Sequence, residues 1–101
     1  MSRIEKIQQM LTNEPNDVFL NFSLAMELAK LERTEESLTQ FDRVLEIDAN
    51  YIAAYFHKGK TLAAQGDDDR AREVLTAGIA KAAEVGDSHA KGEMEEFMSM
   101  M

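Results

Sequence analysis

The chain has 101 residues, 45% of them hydrophobic and 30% charged, enough for one domain with a buried core and too few for a second, and a composition that argues against wholesale disorder. A formal net charge of −8, with no run of Lys and Arg, argues against nucleic acid as a partner, and no apolar stretch approaches the roughly 20 residues needed to cross a bilayer, so no membrane is expected. Cysteine is absent, which excludes disulfides and thiolate metal sites, and residues 2–11 do not resemble a signal peptide; a cytoplasmic location is the expectation.

Periodicity and capping signals predict six helices. The first covers 3–11, with Ile4, Ile7, Met10 and Leu11 on one face, and Ser2 with Glu5 forms a capping-box pattern at its start. Pro15 then breaks the helix, because it lacks an amide and disfavours helical geometry in Glu14. The second covers 17–30 and carries Val18, Leu20, Leu24, Ala25 and Leu28, followed by Leu31. Thr34 is the expected cap of the third, with Glu35 and Glu36 favourably placed in its first turn and Leu38, Phe41, Val44, Leu45 and Ile47 as its apolar positions.

Asp48, Ala49 and Asn50 form the next turn, with Asn50 the expected cap of a fourth helix over 51–65. Gly66 stops that helix, since glycine takes left-handed geometry readily. The triplet Asp67, Asp68 and Asp69 lacks the spaced ligands and closing glutamate of a calcium loop; it reads as a cap and two acids at the positive end of the fifth helix, over 68–85. Gly86, Asp87 and Ser88 open a sixth helix with Ala90, Met94, Phe97 and Met98 as its apolar stripe.

The segments repeat at a spacing of 34 residues. Ile7, Phe41 and Leu75 are one period apart, as are Leu11, Leu45 and Ile79, Leu28 and Leu62, Ala25 and Gly59, and Ser37 and Ala71. Such a period denotes stacked helix pairs, each too small to bury its apolar face alone. Leu24, Ala25, Leu28, Ser37, Phe41, Val44 and Ala49, and then Tyr55, Gly59, Leu62, Ala71, Leu75 and Gly78, resemble the motif of the tetratricopeptide repeat family. The resemblance implies an all-α, right-handed α-α superhelix of antiparallel helix pairs. It would be a single domain over 1–101, divided into a half repeat (2–16), two repeats (17–50 and 51–85) and a C-terminal capping helix (87–99). Because the period reaches both ends, a complete, capped stack is expected. The motif is departed from at Asn21, where a bulky residue is usual and Leu20 or Phe22 would serve instead, and at Lys58, whose methylene stem would cover apolar surface.

Few residues invite a chemical reading. Gly59, Lys60 and Thr61 match the end of a phosphate-binding loop, but Ala54 stands where its first glycine is required and the tripeptide falls inside a helix, its amides already committed. His57 and His89 are too distant for a helical metal pair, and His89 with Glu93 reads as a helix-face pair. No catalytic constellation, cofactor site or metal site is expected, and the chain is read as non-enzymatic.

The resemblance also implies a concave groove lined by the first helix of each pair. Carried over, its outward positions include Phe19, Phe22, Met26 and Lys30 in one repeat and Phe56, His57 and Lys60 in the next. This apolar face has three readings: a groove for a peptide or partner helix, a self-association surface making a homodimer, or side chains that the C-terminal helix covers or that tilt into the core. Family members that grip a C-terminal carboxylate use Lys and Asn at places that here hold Phe22, Met26 and His57, so that clamp is not expected. The methionine-rich end, Met94, Met98, Met100 and Met101 with Phe97, is read either as a cap on the fifth helix or as an adaptable contact. The expected function is an adaptor for a protein or peptide partner whose identity the residues do not specify.

Overall fold

A computed structural model describes all 101 residues and contains six α-helices and no strand. They are α1 (Arg3–Asn13), α2 (Val18–Lys30), α3 (Thr34–Ile47), α4 (Ile52–Ala64), α5 (Asp68–Val85) and α6 (Ser88–Ser99). The chain forms two compact units, Met1–Ala49 and Asn50–Met101, each of three helices.

In the first unit, α1 begins with a full capping box. Ser2 Oγ accepts the Glu5 amide at 3.1 Å, and Glu5 Oε1 accepts the Ser2 amide at 3.1 Å. These bonds from Ser2 hold the Glu5 carboxyl below its ordinary range. Ile4 and Ile7 pack on Leu24 and Leu28 of α2, with Leu11 alongside. Met10, expected on this face, is instead 48% exposed: three residues past Ile7 and one short of Leu11, it falls at the edge of a stripe already filled. Arg3 of α1 and Glu27 of α2 pair at 2.8 Å.

Asp17 caps α2 by accepting the Leu20 amide at 2.9 Å. The turn into α3 passes through Glu32 at φ 60°, while the Arg33 amide bonds back to the Leu28 carbonyl at 2.9 Å. Thr34 does not cap α3. It is the first helical residue, and Arg33 precedes it without a side-chain cap. Arg33 instead bonds both oxygens of Glu36, at 3.0 and 2.6 Å, which neutralises an acid of the first turn and holds the entry in place. Small residues set the α2–α3 spacing. Ala25 and Ser37 are fully buried, and Ser37 Oγ donates to the Ala25 carbonyl at 2.9 Å. Phe41 and Val44, both fully buried, fill the space beside them.

In the second unit the cap of α4 falls one residue later than the expected Asn50. Tyr51 occupies the cap position with no side-chain bond there, and the Ala54 amide closes a tight first turn on the Tyr51 carbonyl at 3.0 Å. Gly66, at φ 81°, stops α4, and Asp67 caps α5 by accepting the Arg70 amide. Asp68 and Asp69 lie in the first turn of α5, as the cap reading of the triplet requires. Gly86, at φ 79°, ends α5, and Asp87 caps α6 through the Ala90 amide at 3.0 Å.

The core of this unit is Ile52, Leu75, Ala82 and Met94, with Tyr55, Phe56, Ile79, Phe97, Met98 and Met101 packed around it. A Cβ at Gly59 would sit 2.6 Å from Leu75, and one at Gly78 2.6 Å from Tyr55 and 2.7 Å from the Met94 sulfur. These two glycines are what let α4, α5 and α6 approach so closely. Met94 is fully buried, so α6 covers the apolar sides of its neighbours in this unit.

Candidate functional site

Side chains expected to form the interaction face behave differently in the two units. On α2, Phe19 is 64% exposed, a large aromatic left in water. Met26 is half-buried and Lys30 is exposed in the last helical turn, where its cation faces the negative end of the backbone dipole. Residues 19, 26 and 30 are separated by seven and four positions and therefore share one side of α2. Phe22 is half-buried, its ring 6.1 Å from that of Phe41 and tilted by 58°, so much of it serves the core of the first unit.

The side chain next to Phe22 is the one whose role the sequence concealed. Asn21 is buried, with 4% of its surface exposed, and its amide nitrogen donates to the Pro15 carbonyl at 3.1 Å and the Asp17 carbonyl at 2.8 Å. Its oxygen accepts from Gln40 Nε2 of α3 at 2.6 Å. A polar residue at a bulky position is therefore a latch that ties the Pro15 turn to α2 and α3. The bulky packing expected of a neighbour is supplied at least in part by Phe22, through its contact with Phe41.

On α4, Phe56 is half-buried, and its ring meets that of Phe97 of α6 edge-on at 6.0 Å. The α6 helix thus covers part of the aromatic surface expected on this face. Lys60 Nζ stands 4.8 Å from the centre of the Phe56 ring, a cation–π contact, and the remainder of Lys60 is exposed. The His57 ring lies 5.9 Å from Phe56. Burial pushes the His57 imidazolium pKa below its ordinary value of 6.5, Lys60 pushes it the same way, and Glu93 of α6 opposes both. Lys58 is half-buried.

The residues that suggested nucleotide binding are spent on the helix. Gly59 is buried against Leu75, and Thr61 Oγ1 donates to the His57 carbonyl at 2.8 Å inside α4. His89 and Glu93 pair across one turn of α6 at 3.3 Å. No helix is long and apolar enough to cross a membrane.

Comparison with known proteins agrees with the fold. The sequence profile of the tetratricopeptide repeat matches residues 20–51 and 52–80. A TPR repeat-containing protein of Pseudomonas aeruginosa is 32% identical over 95 residues, spanning 94% of this chain and 90% of that protein. The chain belongs to the tetratricopeptide repeat family. Its fold is likewise that of tetratricopeptide proteins of known structure. A Bordetella parapertussis protein solved in solution superposes with a TM-score of 0.88 at 29% identity, covering 99% of this chain and 87% of that one. The TPR2B domain of yeast Sti1, solved in complex with pHsp70, gives a TM-score of 0.87 at 26% identity, covering 95% of this chain and 77% of that one. PcrH, solved with the chaperone-binding region of PopD, shares the fold with a TM-score of 0.86 at 17% identity, over 96% of this chain and 74% of PcrH. Tetratricopeptide repeats are interaction modules, and the class of function follows from membership of the family.

Proposed function

We propose that this tetratricopeptide protein is a non-enzymatic adaptor that holds a peptide or partner helix on exposed side chains of a first helix, at the positions that line the groove in its family. The observation that carries this reading is Phe19, 64% exposed on a well-capped helix and on the same side as Met26 and Lys30. The complex of the Sti1 domain with pHsp70 supports it, because a chain of similar sequence and fold there engages a protein partner.

The chemistry of the face favours apolar anchors over a carboxylate grip. Phe22, Met26 and His57 stand where a clamp for a C-terminal carboxylate places Lys and Asn, and none of the three is a fixed cation. A peptide ending in Glu-Glu-Val-Asp is expected to bind only marginally.

Capture from the native cell tests the proposal. Wild-type protein and the variant Phe19→Asp are compared, since the exposed ring is replaced without disturbing the core, whereas Phe22 and Phe56 also support their own units. A protein retained by wild type and lost by the variant is the expected result. Sedimentation of wild type over a range of concentrations tests the other reading, a homo-oligomer built on the same face: a dimer abolished by Phe19→Asp would replace the adaptor.

A further inference from the structure

A second surface lies within the first unit. Helices α1 and α3 both pack on α2, and between them is a cleft of about 400 Å³, closed below by Leu24 and Leu28 of α2. Its walls carry Gln8 of α1 and Glu35, Glu36, Thr39 and Gln40 of α3, the last with its amide nitrogen already given to Asn21. This is not the face that carries Met26. Two residues of helix are roughly 200° of rotation, so Leu24 and Leu28 look to the other side of α2.

The walls are unevenly committed. Glu36 gives both carboxylate oxygens to Arg33. The side chain of Glu35, its neighbour, has no ion pair or hydrogen bond, and neither the side-chain amide of Gln8 nor the Thr39 hydroxyl is engaged within the chain. The cleft thus offers an apolar base, one unspent carboxylate and two uncharged groups able to accept a hydrogen bond. No cation of the chain is directed at Glu35, although Arg33 stands two residues away.

We infer that the cleft between α1 and α3 receives a lysine or arginine side chain from a basic segment of a partner protein, its alkyl stem lying on Leu24 and Leu28 and its cation meeting Glu35. Charge complementarity selects this occupant. The chain carries a net −8, so a basic segment is drawn to it, and a long cationic side chain is the one type that matches both an apolar base and an acidic wall. Size agrees: ligand pockets span roughly 300–1,000 Å³, and this one is at the low end, enough for a single long side chain and too small for a helix. The inference does not rest on the adaptor reading, whose residues lie elsewhere on α2.

The test is a titration of nitrogen-15-labelled protein with a short, blocked alanine–leucine peptide bearing one central arginine, against the same peptide with glutamate in its place. Expected are shifts centred on the amides of Gln8, Glu35 and Thr39 with the arginine peptide alone, weakened by added salt. Glu35→Gln is expected to weaken binding about 1.5-fold to fivefold, the range of an exposed ion pair. Thr39→Lys, which supplies a cation from within, is expected to abolish it, and Glu73→Gln, which removes one charge on α5, to leave it unchanged. Shifts centred on Phe19, equal binding of the glutamate peptide, or equal loss in Glu35→Gln and Glu73→Gln would each overturn the inference. So would peptide-free, concentration-dependent shifts at the cleft, which would make a second copy of the chain its occupant.

Discussion

Gln40 donates from α3 to the buried Asn21 of α2 at 2.6 Å, and the same asparagine holds the Pro15 and Asp17 carbonyls. One side chain therefore closes the entry turn and fixes a helix pair. Replacing Asn21 with Ala strands those partners and should cost about 1–3 kcal/mol. In a domain of this size each kcal/mol lowers the melting temperature by roughly 4–8 °C. A double-mutant cycle with Gln40→Ala should show coupling of at least about 0.5 kcal/mol, and additive effects would deny the latch.

Glu32 sits at φ 60° in the α2–α3 turn, where Gly66, one period on, sits at φ 81° in the α4–α5 turn. The backbone bonds correspond: the Arg33 amide reaches the Leu28 carbonyl as the Asp67 amide reaches that of Leu62. Left-handed geometry costs a non-glycine residue about 1–2 kcal/mol, and glycine's extra freedom when unfolded returns about 0.5–1. Glu32→Gly should therefore stabilise the chain by about 0.5–1 kcal/mol in urea unfolding, whereas Glu32→Ala should not.

Two helical glycines should respond to alanine with opposite signs. At Gly59 the new methyl would meet Leu75 Cγ and Cδ2 at 2.6 Å, and overpacking of about 1–3 kcal/mol outweighs a helix-propensity gain of about 1. At Gly92 nothing lies within 4 Å, so Gly92→Ala keeps only the gain. Thermal melts of the two variants on either side of wild type are the expected outcome. Adding Leu75→Val to Gly59→Ala should recover part of the loss.

The buried side of His57 makes stability depend on pH. Its pKa is lowered on folding, first by burial and then by Lys60, so the unfolded chain binds the proton more readily. The contribution of His57 is fully present above the ordinary value of 6.5 and is lost as the pH falls through the lowered folded value. Urea midpoints measured downward from neutral pH should decline, His57→Gln should flatten that decline, and Glu93→Gln should steepen it.

Elements with local causes were legible in the sequence. The Ser2–Glu5 box, Gly66, Asp67 and Asp87 each set a helix end through contacts a few residues away, and the 34-residue spacing located Ala25, Ser37, Gly59 and Leu75 at the close approaches, whereas Asp17, read as helical, is the cap of α2. What escaped was non-local or offset by one residue. Thr34 looked like a cap because Arg33 gives no sign of its bidentate bond to Glu36, and Asn50 because the tight turn at Tyr51 is visible only in the backbone. Asn21 read as a defect until Gln40, nineteen residues later, was seen to meet it. For Phe56 the sequence left outward exposure and cover by the C-terminal helix both open, because the edge-on contact with Phe97 is made by a residue 41 positions away.

The face marked by Phe19 is the one proposed to meet another protein. Placing a photo-crosslinking phenylalanine at position 19, and for comparison at Thr76 on the exposed side of α5, tests it in the native cell. Expected is a crosslink from position 19 to a different protein and none from position 76. Crosslinking from position 19 only to a second copy of the chain, or equally from both positions, would contradict it.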